Sequence, residues 1–178
     1  MPTTITINRA PVLTLWAAVV AERLGFTRDE SLTLGRAVAG MNAQAKAVRL
    51  GIREPATAGE RPRGKLEPES DRIELLGRSI PVLRTPKGVR ASTAGKPDSA
   101  EAVERYLVSK FGRALPSARA AMTTLAGSYP PKELAAAAYA LYERFRPQIP
   151  AGTRGWGAKG ELDLAALKRL AATKPNSA

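Results

Sequence analysis

Two apolar stripes with helical spacing, joined by one tight corner, occupy the first fifty residues of the chain. The first stripe places apolar side chains at i, i+3 and i+4 intervals: Val12, Leu15, Trp16, Val19, Val20 and Leu24. This periodicity is typical of one buried face of an α-helix. Asn8 can cap the start of this helix, and Gly25 followed by Phe26 suits a left-handed helix end. We therefore expect a helix between Asn8 and Gly25, with Trp16 in the core.

The second stripe begins immediately after the corner. Thr27 and Glu30 have the three-residue spacing of a reciprocal capping box. The small residues Gly35 and Ala39 allow a neighbouring helix to approach closely, and Gly51 suits the helix end. The apolar face comprises Leu34, Val38, Met41, Ala45 and Val48. The sequence thus predicts a packed helix pair over residues 1–52.

The composition restricts the possible chemistry. The 178 residues include no histidine and no cysteine, which removes the side chains most used for metal binding and nucleophilic catalysis. Lys and Arg number 28 against 16 Asp and Glu, for a formal net charge of +12. Such an excess attracts polyanions, although drift in base composition is an alternative explanation because Arg outnumbers Lys 19 to 9. We expect a binding protein that uses no cofactor and no metal, rather than an enzyme.

Residues 53–70 are predicted to form a flexible, solvated linker, because four basic and four acidic side chains cancel there and apolar residues are almost absent. Short strands are expected next over residues 73–76, 79–84 and 89–91. The turn between the last two is Thr85-Pro86-Lys87-Gly88. Pro81 favours an edge strand, since proline cannot donate to a ladder.

The predicted hairpin is rich in basic residues, and it has two interpretations. A two-stranded ribbon fits a DNA groove, and its side chains can reach phosphates or base edges. Alternatively, the charges protect a sheet edge from aggregation. The candidate contact residues are Arg78, Arg84, Lys87 and Arg90.

Helical patterns resume at Asp98, whose spacing to Glu101 is that of a capping box. Further helices are expected from Pro116, from Pro130-Pro131 and, last and shortest, from Asp163. The predicted fold is α+β and mainly α, with an N-terminal helix pair, a central basic β-hairpin and a C-terminal helical bundle. Residues 71–172 would hold the hairpin and the bundle, followed by a frayed tail over 173–178.

The segment 21–36 (AERLGFTRDESLTLGR) resembles the helix-turn-helix of bacterial DNA-binding proteins. The resemblance lies in Ala21, Gly25, Phe26 and Thr27, and it implies that the second helix presents its first residues to the major groove. Ser31 departs from the pattern, because an inward aliphatic residue is usual at its position. The alternative is an ordinary helical corner. The contact residues that the resemblance implies are Arg28, Asp29, Ser31 and Thr33, with Arg36 for a phosphate.

The glycine-rich loop 152–160 carries Arg154, Trp156 and Lys159. Glycines allow close approach to a phosphate, and an indole can stack on a base. The alternative is that Trp156 packs back onto the core and holds the last helix in place. We favour packing, because isolated aromatic residues are most often core residues.

Together these patterns predict nucleic-acid binding through a basic surface, with a regulatory or nucleoid-organising role. Double-stranded DNA is preferred over RNA, because the chain lacks an aromatic-rich strand. The alternative is a protein-interaction module that assembles as a homodimer. No membrane partner is expected. The apolar segment 10–21 could act as a signal peptide, but its pattern continues to Leu24, so a cytoplasmic location is predicted.

Overall fold

The computed structural model describes residues 4–49, 71–93, 95–147 and 159–173. The predicted linker, the tail beyond residue 173 and the stop at Gly51 lie outside these residues. The elements in chain order are β1 (Thr4–Asn8), α1 (Arg9–Arg23), α2 (Arg28–Arg49), β2 (Asp71–Leu75), β3 (Arg78–Thr85), β4 (Gly88–Thr93), β5 (Lys96–Pro97), α3 (Ala100–Phe111), a 3₁₀ turn (Gly112–Ala114), α4 (Leu115–Gly127), α5 (Pro131–Phe145), β6 (Lys159–Asp163) and α6 (Leu164–Thr173). The predicted α+β, mainly α fold is confirmed.

The end of α1 is closed by backbone hydrogen bonds. Gly25 has φ +113°, a conformation that favours glycine. Its N–H donates to Glu22 O at 3.0 Å, and the Phe26 N–H donates to Ala21 O at 3.1 Å. These two bonds form a Schellman motif, as the sequence predicted. At the other end of the helix, Asn8 occupies the N-cap position, but its side chain makes no capping hydrogen bond.

The start of α2 has the predicted capping box. The Thr27 N–H donates to Glu30 Oε1 at 2.9 Å, and the Glu30 N–H donates to Thr27 Oγ1 at 3.2 Å. Both side chains thus satisfy amides that have no partner within the helix. The corner between the two helices therefore follows from residues 21–30 alone.

Helices α1 and α2 touch backbone to backbone at Gly35. A Cβ atom added to Gly35 would lie against the Thr14 carbonyl oxygen and 2.9 Å from the Ala18 amide nitrogen. The predicted close approach at this glycine is confirmed. Helix α1 is buried from Pro11 to Ala21, so it forms the centre of the core.

Trp16 joins α1 to α5. Its side chain is fully buried, and its Nε1–H donates to the Ala138 carbonyl oxygen at 2.9 Å. The Phe145 ring packs edge-on against the indole, with centroids 5.2 Å apart. Core residues from the N-terminal helix pair, the sheet and the C-terminal helices belong to one hydrophobic cluster. The predicted core position of Trp16 is confirmed.

The basic hairpin is part of an antiparallel sheet with strand order β2-β3-β4-β5. Strand β3 is an inner strand, so the expectation that Pro81 marks an edge is wrong. Pro81 is tolerated because the β3–β4 ladder begins only at Val82, which pairs with Ala91. Leu76 and Gly77 form the turn between β2 and β3, both with positive φ.

A second sheet has two strands that the sequence did not reveal. Strand β1 pairs antiparallel with β6, from Thr4 opposite Asp163 to Asn8 opposite Lys159. Each strand has five residues and lacks a turn signal linking it to the other, because 150 residues lie between them. Their pairing places the start of α1 beside the strand that precedes α6.

The C-terminal helices follow the predicted boundaries closely. Pro116 lies in the first turn of α4, Pro130 precedes α5, and Asp163 accepts a hydrogen bond from the Ala165 N–H at 3.0 Å. The start of α3 differs by one residue, because Ser99 rather than Asp98 accepts from the Ala102 N–H.

A glycine pair in α2 tests the α1–α2 contact. Gly35→Ala should destabilise the protein by about 1–3 kcal/mol, because the new methyl group must displace backbone. Gly40→Ala is the matched control, since a Cβ there meets nothing within 4 Å. It should stabilise the helix by up to about 1 kcal/mol. Urea denaturation of both variants measures this, and equal effects would contradict the close contact.

Candidate nucleic-acid interface

The first turns of α2 lie along the outer edge of β4. The Val89 N–H donates to Glu30 Oε2 at 2.9 Å, and the Ala91 N–H donates to Thr33 Oγ1 at 3.0 Å. These amides point away from β3, which pairs with the other side of β4. Two helix side chains at i and i+3 thus take the place of a neighbouring strand at Val89 and Ala91, before β5 pairs with the end of β4.

This contact buries the centre of the predicted recognition surface. Ser31 and Thr33 have no exposed surface, so neither is available to a base edge. The expectation that they contact DNA is therefore corrected. The Thr33 hydroxyl accepts from β4 and donates to the Glu30 carbonyl oxygen at 3.3 Å. The Ser31 hydroxyl is buried without a hydrogen-bond partner in the described part of the chain.

The two arginines predicted beside them are exposed but face α3. Arg28 Nη2 lies 3.1 Å from Glu104 Oε1, which also receives Arg119 at 3.5 Å. Burial lowers the pKa of Arg119, and the charge of Arg28 lowers it further, whereas Glu104 opposes both effects. Arg36 stacks over the Tyr106 ring with 4.6 Å between its guanidinium carbon and the ring centroid. The guanidiniums of Arg28 and Arg36 are therefore both engaged by side chains of α3.

The four predicted contact residues of the hairpin differ in exposure and in hydrogen-bond or ion-pair partners. Arg84 is exposed and paired with Asp71 at 2.7 Å, and Lys87 is exposed at the turn. Arg78 is half-buried and donates from Nε to Asn42 Oδ1 at 2.8 Å. Arg90 is only 7% exposed and donates to the Val89 carbonyl oxygen at 3.0 Å. Its predicted role as an open ribbon contact is corrected, because its guanidinium is enclosed by its own strand and α2.

Helical carboxylates offset the charge of the hairpin. Asp29 lies 3.8 Å from Arg90, bringing an acidic group from α2 onto β4. A hydrogen bond to its own backbone amide lowers the pKa of Glu101, and the nearby charges of Lys87 and Arg90 act in the same direction. The local excess that the sequence showed for the hairpin is thus partly neutralised by tertiary neighbours. Arg154 and Trp156 lie outside the described residues, and Lys159 is placed only by its pairing with Asn8.

A second group of polar residues, which includes Arg78, lies beside α5. Arg78 holds Asn42, and the Asn42 Nδ2–H donates to the Tyr139 hydroxyl at 3.1 Å. The Tyr139 and Tyr142 rings are 5.7 Å apart. This chain of contacts runs from β3 across α2 onto α5.

Two more arginines continue the chain at the end of α5. Arg146 lies over the Tyr142 ring, with 5.8 Å between its guanidinium carbon and the ring centroid. Arg9 donates from Nε to the Pro147 carbonyl oxygen at 2.8 Å. Burial lowers the pKa of Arg9, and the charge of Arg146 lowers it further. We call the residues Arg9, Asn42, Arg78, Tyr139 and Arg146 the arginine–tyrosine cluster.

Sequence reasoning included Arg78 among its candidates but missed the rest of this cluster. Arg9 and Arg146 are 137 residues apart in the chain, and neither belongs to a basic run. Tyr139 lies in α5 and Arg146 directly follows the end of that helix, so nearness in sequence is the one weak signal that links them. The grouping depends on the packing of α5 against α1 and α2.

Comparison with known proteins finds no family model, no curated protein and no solved structure that matches the chain. The helix-turn-helix resemblance therefore rests on its sixteen residues. Within the described ranges, no group of three or more acidic residues is arranged to hold a metal ion. None of the helices in these ranges has the length and apolar character needed to cross a membrane.

Two buried hydroxyls on α2 distinguish edge capping from DNA readout. Thr33→Val should cost about 1–3 kcal/mol of stability, because the Ala91 N–H loses its acceptor. Ser31→Ala should change stability by less than about 1 kcal/mol, since it removes an unpaired hydroxyl. Neither substitution should alter DNA affinity in the folded protein. Chemical denaturation and mobility-shift titration provide the measurements, and weaker binding by a fully folded variant would restore the readout hypothesis.

The Glu30 carboxylate should make stability dependent on pH. Amide hydrogen bonds from Thr27 and then Val89 lower its pKa below the usual value of 4.5. Its contribution is therefore complete above that pH and is lost as the pH falls through the lower, folded-state value. At pH 7 Glu30→Gln should cost about 1–3 kcal/mol, because the amide offers only one acceptor oxygen for two amides.

Urea denaturation between pH 7 and pH 3 would test this prediction. The difference between the wild-type protein and Glu30→Gln should shrink toward the acidic end of the range. Glu161→Gln is the control, because Glu161 is exposed on β6, and it should change stability by less than about 0.5 kcal/mol at pH 7. A difference that stays constant over the range would show that the Glu30 charge does not contribute.

Proposed function

We propose that the protein binds double-stranded DNA through distributed phosphate contacts, with little dependence on base sequence, and that it acts by binding rather than by catalysis. Such binding relies on the release of counterions when basic side chains approach phosphates. It fits a role in organising DNA or in regulation that does not depend on reading bases.

The observation that carries this proposal is the unequal exposure of the two signs of charge. Among the described residues, eleven exposed Lys and Arg side chains have no ion-pair partner: Arg23, Arg36, Arg72, Lys87, Lys96, Arg105, Lys110, Arg113, Lys132, Arg144 and Lys168. Four exposed acidic residues likewise have no ion-pair partner among the described residues: Glu74, Glu101, Glu143 and Glu161. Four further acidic residues pair with arginines and Glu30 caps α2, so unpaired basic side chains outnumber unpaired acidic ones on the described surface.

The mode of binding follows from what the fold leaves accessible. Because Ser31 and Thr33 are buried, α2 offers few groups for hydrogen bonds to base edges. The strands contain no aromatic residue over their described lengths, so they lack the stacking platform of single-strand binders. Electrostatic contact with a duplex therefore fits this surface better than base readout or stacking.

The assembly module remains the second candidate from the sequence. Protein interfaces usually need a contiguous apolar patch at their centre. Val108 is the exposed large hydrophobic residue of the described surface, with 50% of its area accessible. A single side chain of this size does not favour that candidate over DNA binding.

Salt dependence tests the proposed function. Mobility-shift titrations should show a complex at low salt, with log affinity falling linearly with log salt. Two duplexes of unrelated sequence should bind with equal affinity, because phosphate contacts carry no sequence information. Lack of a complex at low salt would refute the proposal, and strong preference for one duplex would refute its non-specific mode.

A further inference from the structure

Two guanidiniums of the arginine–tyrosine cluster are held by neutral groups through Nε alone. Hydrogen bonds from Nε fix Arg9 to the Pro147 carbonyl oxygen and Arg78 to Asn42. These bonds leave the terminal Nη groups of both arginines without a hydrogen-bond partner among the described residues. Both side chains are only half-buried, so solvent and ligands can reach them.

We propose that the arginine–tyrosine cluster is a phosphate-binding site and that in the DNA complex it holds phosphates of the duplex backbone. A guanidinium presents paired N–H donors that match the oxygens of a phosphate. Anchoring through Nε restricts the side chain before binding, which lowers the entropy lost when the phosphate is bound.

The local charges favour an anion at this position. Arg146 brings a third guanidinium to the cluster, and its proximity lowers the pKa of Arg9 in addition to the effect of burial. An anion between like charges relieves their repulsion. Glu143 also acts on Tyr142, so a carboxylate lies near this end of the cluster. Arg9 is also the first residue of α1, where the helix dipole adds positive potential.

Several exposed arginines elsewhere either use a terminal nitrogen as well as Nε, as Arg23 and Arg72 do with neutral groups, or pair with a carboxylate. Arg84 is neutralised by Asp71, and Arg28 shares Glu104 with Arg119. Arg9 and Arg78 have no carboxylate partner in the described part of the chain and are anchored by neutral groups.

This inference rests on the proposed function for the source of the phosphate, but the site can be tested independently of DNA. The variant Arg9→Gln/Arg78→Gln removes two guanidiniums. The variant Arg9→Lys/Arg78→Lys keeps the positive charge but removes the paired N–H donors of the guanidinium. The matched control is Arg84→Gln/Arg169→Gln, which removes two exposed charges that are already paired with Asp71 and Asp163. Thermal unfolding establishes that each variant is folded.

With duplex DNA, the glutamine variant of the cluster should bind roughly tenfold more weakly, and its salt slope should fall by about two units. The lysine variant should regain the slope but only part of the affinity, because a lysine cannot reproduce the bidentate contact. The control should change the slope by less than one unit. Equal losses in the folded control and cluster variants would overturn the inference while leaving the proposed function standing.

With inorganic phosphate, NMR signals of the Arg9 and Arg78 Nε–H groups in the wild-type protein should shift and saturate. Shifts without any duplex binding would support the phosphate site and refute its DNA-backbone source together with the proposed function. Unshifted signals would overturn the site, even where duplex DNA binds elsewhere on the surface.

Discussion

Helices α1 and α2 pack until their backbones touch, and this is possible because residue 35 has no side chain. The contact determines the rotation of α2 about its own axis. With Gly35 against α1, a periodicity of 3.6 residues per turn directs Glu30 and Thr33 away from α1 and toward the edge of β4. Glu30 and Thr33 therefore hydrogen-bond to the sheet in a direction that is set by the packing of α2 against α1.

Glu30 connects three parts of the fold. One carboxylate oxygen caps its own helix, and the other accepts the Val89 amide of β4. Glycine suits position 88 because its φ is +112°, and a Cβ there would also lie 2.7 Å from the Glu30 carboxylate. Several acidic residues thus cap backbone amides or pair with arginines. More basic than acidic side chains are left exposed without an ion-pair partner among the described residues.

Features decided within a few residues could be predicted from the sequence. Gly25 and Phe26 close α1 through bonds that reach back only three to five residues, and the Thr27–Glu30 box spans three. The role of Gly35 could also be predicted, because a glycine inside an apolar helical stripe indicates close packing. The helical stripes and the positions of Trp16 and the prolines follow the same local rules. By contrast, the helix-turn-helix resemblance predicted the corner between the two helices but not which side of α2 is exposed to solvent.

The sequence by itself determined where most helices begin and end, which of their faces are apolar, and that the chain as a whole is basic. Only the tertiary structure decided which polar residues remain accessible, because their partners lie far away in the chain. Thr33 is buried by a strand that starts 55 residues later, and Arg9 meets a carbonyl 138 residues away. Pairing of β1 with β6 is likewise non-local. The spacing of apolar residues indicates which face of a helix is buried. The positions of charged and hydroxyl side chains in the sequence do not indicate which element will pack against them.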